Sequence, residues 1–272
     1  MKFLQIPDGL KTKALEIADE LGGDVIISCE ACYGACDIKE DEAKRLGCDK
    51  IVHYGHSKLI DTDIEVDYVE KREKYDPTKA LENVKIDFKR IGLVSAIQFL
   101  DSLEIAKKVL ERQGKEVLIG GQVLGCDVSK AVAIQNKVDC FLFIGSGHFH
   151  PLGVALKTGK PTFILNIEKG NLEKLDTRLF EKQRIAAQVI ARDAKVFGIL
   201  VSTKPGQMNI KLAKEIKEKL KPRKSYIFSM DEIRPDKLEG IKVDAYINTA
   251  CPRITIENRT DFRKPILNPD EI

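Results

Sequence analysis

Three cysteines stand in similar settings in different thirds of the chain: Cys36 in YGACDI, Cys126 in GGQVLGCDVSK and Cys251 in NTACPRI. Each follows a short apolar stretch of strand character, and Cys36 and Cys126 are each followed by an aspartate. Thiolates are soft donors, suited to zinc, copper(I) or iron–sulfur clusters. The paired C-x2-C spacing of a structural zinc site is missing. Three thiolates drawn from separate parts of a chain fit a 4Fe–4S cluster with one iron left open to a small molecule, whereas a fourth cysteine would make an electron carrier.

A local alternative uses Cys29, Cys32 and Cys36. Their C-x2-C-x3-C spacing resembles a reversed form of the loop that holds the cluster in radical S-adenosylmethionine (SAM) enzymes, and it would make Cys126 and Cys251 incidental. Against it, Cys29 at the end of an apolar strand and Cys140 inside one are expected to be small core residues. Cys32 and Cys48 are expected to be structural as well. The four histidines fall in two loops, His53 and His56 in VHYGHS, His148 and His150 in GSGHFHPLG. That concentration marks His56, His148 and His150 as candidates for hydrogen bonding or proton acceptance. Asp37 and Asp127 are expected to cap the helices that follow them.

The elements that must position these residues repeat. A strand at Phe3–Ile6, an amphipathic helix at Leu10–Leu21, a strand at Asp24–Ser28, a helix at Glu40–Leu46 and a strand at Lys50–His53 form one set. A second set has strands at Arg90–Ser95, Glu116–Ile119, Cys140–Ile144 and Pro161–Asn166, with helices at Leu103–Gln113, Ser129–Asn136 and Pro151–Thr158. Phe180–Ala194 is a linking helix. A third set has strands at Val196–Ser202, Ser225–Met230 and Val243–Asn248 and a helix at Asn209–Leu220. Strand–helix alternation predicts an α/β fold of three similar domains, 1–88, 89–194 and 195–272, with parallel sheets in a pseudo-threefold arrangement around a central crevice. Ligands of such sheets bind beyond the strand ends. Cys36 and Cys126 follow the second strand of their sets, but Cys251 follows the third.

The 272 residues are 43% hydrophobic and 32% charged, with a net charge of +3. The excess of Lys and Glu points to a heat-tolerant or archaeal source. The charge gives no basic surplus of the kind nucleic acid selects, so no direct nucleic-acid partner is expected. The chain opens without a signal-peptide pattern and has no apolar run of membrane-spanning length, which predicts a cytoplasmic protein. In a reducing compartment its seven cysteines fit metal binding or thiols better than disulfides.

Six words in order, LQIPDGLK, YGACDI, VHYGHS, GGQVLGCDVSKA, FLFIGSGHFHPLG and NTACPRI, resemble the archaeal diphthamide synthases. These are 2-(3-amino-3-carboxypropyl)histidine synthases, noncanonical radical SAM enzymes. The resemblance implies that Cys36, Cys126 and Cys251 hold a 4Fe–4S cluster and that the chain is a homodimer. It further implies cleavage of SAM to a 3-amino-3-carboxypropyl radical, its transfer to a histidine of translation elongation factor 2, and release of methylthioadenosine. An electron donor is needed. Lys204, Gln207 and Arg253 are candidates for the SAM carboxylate, and Gly145 and Gly147 for close approach of the adenosyl group. The alternative is a quinolinate synthase-like condensing enzyme, which resembles this plan but uses its cluster as a Lewis acid. A noncatalytic iron–sulfur or zinc module is a third reading.

Overall fold

The computed structural model describes residues 1–82 and 84–272. The first third forms β1 (Lys2–Gln5), a 3-10 turn at Asp8–Lys13, α1 (Ala14–Leu21), β2 (Val25–Ile27), α2 (Glu40–Arg45), β3 (Lys50–Tyr54) and β4 (Glu65–Val69). All pairings are parallel in the order β2-β1-β3-β4. Successive residues of a strand face opposite sides. Phe3 therefore packs with Ile38, Ala43 and Ile51 on one face, and Leu4 with Ile6, Ile17 and Val52 on the other.

The middle third forms α3 (Thr78–Glu82), β5 (Arg90–Ser95), α4 (Ser102–Arg112), β6 (Glu116–Gln122), α5 (Ser129–Ile134), β7 (Cys140–Gly145), α6 (Phe149–Thr158), β8 (Thr162–Asn166), β9 (Asn171–Lys174) and α7 (Arg178–Arg192). Its sheet runs β6-β5-β7-β8-β9, parallel except for the last pair. β7 is buried throughout, as its unbroken apolar run CFLFIG requires. The last third forms β10 (Val196–Ser202), α8 (Ile210–Lys219), β11 (Lys224–Met230), β12 (Ala245–Asn248) and the short α9 (Arg253–Glu257). There β10 pairs in parallel with β11 on one side and β12 on the other.

The fold is thus α/β with three parallel-dominated sheets. In each, the first strand is central, the second lies to one side and the third to the other. The strand order reverses beside that central strand, which opens a crevice at the strand ends.

By compactness the chain divides into two units: residues 1–71 with 195–250, and residues 72–194 with 251–272. The segments 72–88 and 251–272 therefore pack with the middle third. The second is anchored there by Glu271, whose carbonyl accepts from Gln188 Nε2 on α7 at 2.8 Å and whose carboxylate takes Arg259 Nη2 at 2.7 and 2.9 Å. Among the described residues no helix is long and apolar enough to cross a membrane.

Candidate metal centre

In the first unit, Cys36 lies in the loop between β2 and α2, half-buried, on a turn closed by Asp37 N donating to Gly34 O at 3.0 Å. The 3-10 turn Pro205–Gln207 after β10 presses on it. Gly206 N donates to Cys36 O at 2.9 Å, and Gln207 Nε2 donates to Cys36 Sγ at 3.3 Å. Gly206 must be glycine, because a Cβ there would stand 2.6 Å from Cys36 Cα. Burial raises the Cys36 thiol, and the Gln207 hydrogen bond opposes that by favouring thiolate.

Asp37 does not cap a helix. It is 0% exposed and ion-paired with Lys204, itself 4% exposed, and with Lys39 Nζ at 3.2 Å. Lys39 Nζ also reaches Asp231 at 3.0 Å. Lys204 stands 4.8 Å from the centre of the Tyr33 ring, whose hydroxyl bonds Glu232. Lys204 and Gln207, expected to meet a SAM carboxylate, are thus engaged with Asp37 and Cys36.

Cys29 is exposed rather than a core residue. β2 ends at Ile27, and past Ser28 the chain leaves the sheet, with the Cys29 carbonyl taking Lys11 Nζ at 2.9 Å. Cys48 and Cys140 are buried as expected. Cys32 is buried too, but in polar company: its donor atom and those of His53 and His56 lie within 4.8 Å of one another.

In the second unit, Cys126 is exposed on a tight turn held by Leu124 N to Asp127 O at 2.8 Å and Asp127 N to Leu124 O at 3.2 Å. Asp127 stands one residue ahead of the N-cap position, Val128, rather than at it; its Oδ1 accepts from Ser129 N at 3.0 Å as α5 begins, and that bond holds its carboxyl below the usual range. Gly125 N donates to His150 Nδ1 at 2.9 Å. The network thereby assigns the His150 proton to Nε2. Burial, aided by the charge of Arg253, pushes the imidazole down to about 4, so it is neutral and able to accept. Gly153 of α6 fits against Gly125 because it has no Cβ; one would lie 2.6 Å from Gly125 O.

Cys251 is half-buried just before α9, and its carbonyl accepts from Ile254 N at 3.2 Å. Arg253 lays its guanidinium over Phe149 at 5.2 Å and pairs with Glu257. The start of α6, Phe149 and His150, therefore supports both the Cys126 loop and the Cys251 loop. His148 is exposed, with Nε2 3.7 Å from Glu173. Gly145 and Gly147 have positive φ, and nothing lies within 4 Å of where a Gly147 Cβ would stand.

All seven cysteines carry thiols rather than disulfides. Cys36, Cys126 and Cys251 occupy loops that leave the ends of parallel strands. As donors they fit an iron–sulfur cluster. The Lys204–Asp37 pair and the Cys32–His53–His56 group escaped sequence reasoning. The aspartate after Cys36 was the one local sign of the first, and the clustering of histidines the one sign of the second.

The family model described as "Putative diphthamide synthesis protein" matches residues 6–272. A 2-(3-amino-3-carboxypropyl)histidine synthase of Pyrococcus horikoshii is 35% identical, over 99% of this chain and 84% of the relative. One of Methanocaldococcus jannaschii is 30% identical over 99% of this chain and 82% of its own length. The solved structure of Dph2 from Pyrococcus horikoshii with a 4Fe–4S cluster superposes with a TM-score of 0.92, at 35% identity, covering 99% of this chain and 84% of that one.

Proposed function

This chain belongs to the diphthamide synthesis protein family, and from that premise we propose the reaction it carries out. It is a 2-(3-amino-3-carboxypropyl)histidine synthase acting in the first step of diphthamide biosynthesis. It cleaves SAM, transfers the 3-amino-3-carboxypropyl group to a histidine of elongation factor 2, and releases methylthioadenosine. The likeness to the Pyrococcus horikoshii synthase over nearly the whole chain carries this reading.

Cys36, Cys126 and Cys251 are the proposed ligands of the 4Fe–4S cluster. When bound, the cluster offers SAM an iron without a protein thiolate and the electron that breaks the bond from sulfur to the γ carbon. The surrounding residues orient and tune. Gln207 donates to the Cys36 sulfur, and hydrogen bonds to ligand sulfurs set a cluster's potential. Lys204, neutralised by Asp37, acts as a strut under Cys36 rather than as a direct contact to SAM. Arg253, held over Phe149, is the cation proposed for the SAM carboxylate. Gly147 leaves backbone open for the adenosyl group, whereas Gly145, also a candidate for that approach, is buried against the Phe143 ring. His150 holds the Gly125 amide, and exposed His148 is the proposed proton acceptor after addition to the target imidazole.

The protein is further proposed to be a cytoplasmic homodimer served by a separate electron donor. An apolar strip on α7, exposed at Leu179, Ile185, Val189 and Ile190, supports a second copy as partner.

Anaerobically reconstituted protein, given SAM, a reductant and elongation factor 2, is expected to yield methylthioadenosine and a modified histidine. Formation of 5′-deoxyadenosine alone, or no turnover, contradicts the reading.

A further inference from the structure

The first unit holds a second group of metal-donor side chains, apart from Cys36. His53 is on β3 and fully buried; His56 follows three residues later, past Gly55, and is partly open to solvent. Cys32 comes in from the loop after β2. His53 Nε2 and His56 Nδ1 face each other at 3.0 Å, and all three donor atoms lie within 4.8 Å of one another. Ligands of one tetrahedral zinc, at about 2.0–2.3 Å from the ion, stand about 3.3–3.8 Å apart. Side-chain movements of about 1 Å close this set around an ion.

The outer contacts are those of a metal-binding histidine. His53 Nδ1 faces Gln5 Oε1 at 3.4 Å, and Gln5 is fixed by its Nε2 donating to Asp37 O at 2.5 Å and its Oε1 accepting from Lys39 N at 3.3 Å. An imidazole that donates from Nδ1 to a carbonyl presents the Nε2 lone pair inward, the arrangement found behind metal-ligating histidines. Burial lowers both rings from the ordinary value, His53 to about 3 and His56 in the same direction, which disfavours the charged form that could not bind an ion.

We propose that Cys32, His53 and His56 form a zinc site separate from the three-cysteine set. One thiolate and two imidazoles are a borderline-soft donor set suited to zinc, with water completing the tetrahedron. Binding releases the Cys32 thiol proton to solvent and shifts the His56 proton from Nδ1 to Nε2, so one proton leaves per ion. Partly exposed His56 is the entry side. The ion ties the end of β3 to the loop that leads into Cys36, and through Gln5 to the backbone of Asp37. It braces the Cys36 loop.

The test uses the full chain with its cluster in place, incubated with excess zinc and desalted. Iron and zinc are counted, and zinc-edge X-ray absorption reads the ligands. The expected result is about one zinc per chain, with one sulfur at about 2.3 Å and nitrogens at about 2.0 Å. Cys32→Ala and His56→Ala are each expected to lose at least about tenfold in zinc affinity with iron content unchanged. Cys126→Ala is expected to lose iron and keep zinc. Absence of zinc from the unaltered chain, or a ligand shell of sulfur alone, overturns the site. So does zinc that survives both Cys32→Ala and His56→Ala. The absorption spectrum of the unaltered chain decides the matter even if a variant fails to fold.

Discussion

The same two-residue word, Cys-Asp, is used in opposite ways in the two units. At Cys36 the aspartate is buried and holds Lys204 and Lys39. At Cys126 it lies on the surface and takes a single backbone amide, Ser129 N, at the start of α5. The first loop is clamped by buried charge and by the close fit of Gly206. The second is held by neutral groups, the Gly125 amide on the His150 imidazole, with Arg253 stacked on Phe149. Identical local sequence does not fix the role of a carboxylate; the partner that the distant chain brings to it does. Lys204 is 167 residues from Asp37.

The largest effect is expected at that contrast. Asp37→Ala strands Lys204 in the interior and is expected to cost about 3–5 kcal/mol of unfolding free energy, whereas Asp127→Ala costs about 1 kcal/mol for one exposed hydrogen bond. Equal losses in denaturant titrations would erase the distinction. Next, His150→Ala removes the acceptor of a half-buried amide and is expected to cost about 1–3 kcal/mol. His150→Asn offers an amide oxygen in place of Nδ1 and is expected to recover most of it.

The neutral support also predicts a pH dependence. The folded His150 sits at about 4 against an ordinary 6.5, so between those values the unfolded chain binds more protons than the folded one. Stability from this residue is complete above pH 6.5 and declines as pH falls toward 4, by at most about 1.4 kcal/mol per pH unit. Burial lowers His53 and His56 in the same direction, so His150→Asn should make the acid slope of stability shallower without abolishing it. An unchanged slope would mean that the imidazole is not held neutral by the fold. The smallest effect is expected for Arg253→Gln, about 0.5–1 kcal/mol for the lost stacking on Phe149. If Arg253 meets the SAM carboxylate, the same variant raises the KM for SAM far more than it lowers stability.

Much of the fold was legible because parallel strands buried on both faces are written as apolar runs. The bounds expected for β5 and β10 are those observed. Only the C-terminal two-thirds of the helix expected at Leu10–Leu21 is α-helical; Asp8–Lys13 winds as 3-10 instead, with Leu10 N bonded to Pro7 O. The strands β4 (EVDYV) and β9 (NLEK) were not foreseen, since edge strands carry charge and little apolar signal. In the candidate site, the cysteine words were visible as local patterns. The exposure of Cys29, the burial of Asp37 against Lys204, and the meeting of Cys32 with His53 and His56 depend on contacts between distant segments, which no local pattern records.

Cys36, Cys126 and Cys251, and not the local Cys29–Cys32–Cys36 run, are the proposed ligands of the cluster. Iron and sulfide content and low-temperature electron paramagnetic resonance of anaerobically reconstituted cysteine-to-alanine variants test that assignment directly. An intact reduced-cluster signal is expected in Cys29→Ala and Cys32→Ala, and its loss in Cys36→Ala, Cys126→Ala and Cys251→Ala. A cluster lost from Cys32→Ala but kept in Cys251→Ala would contradict the assignment.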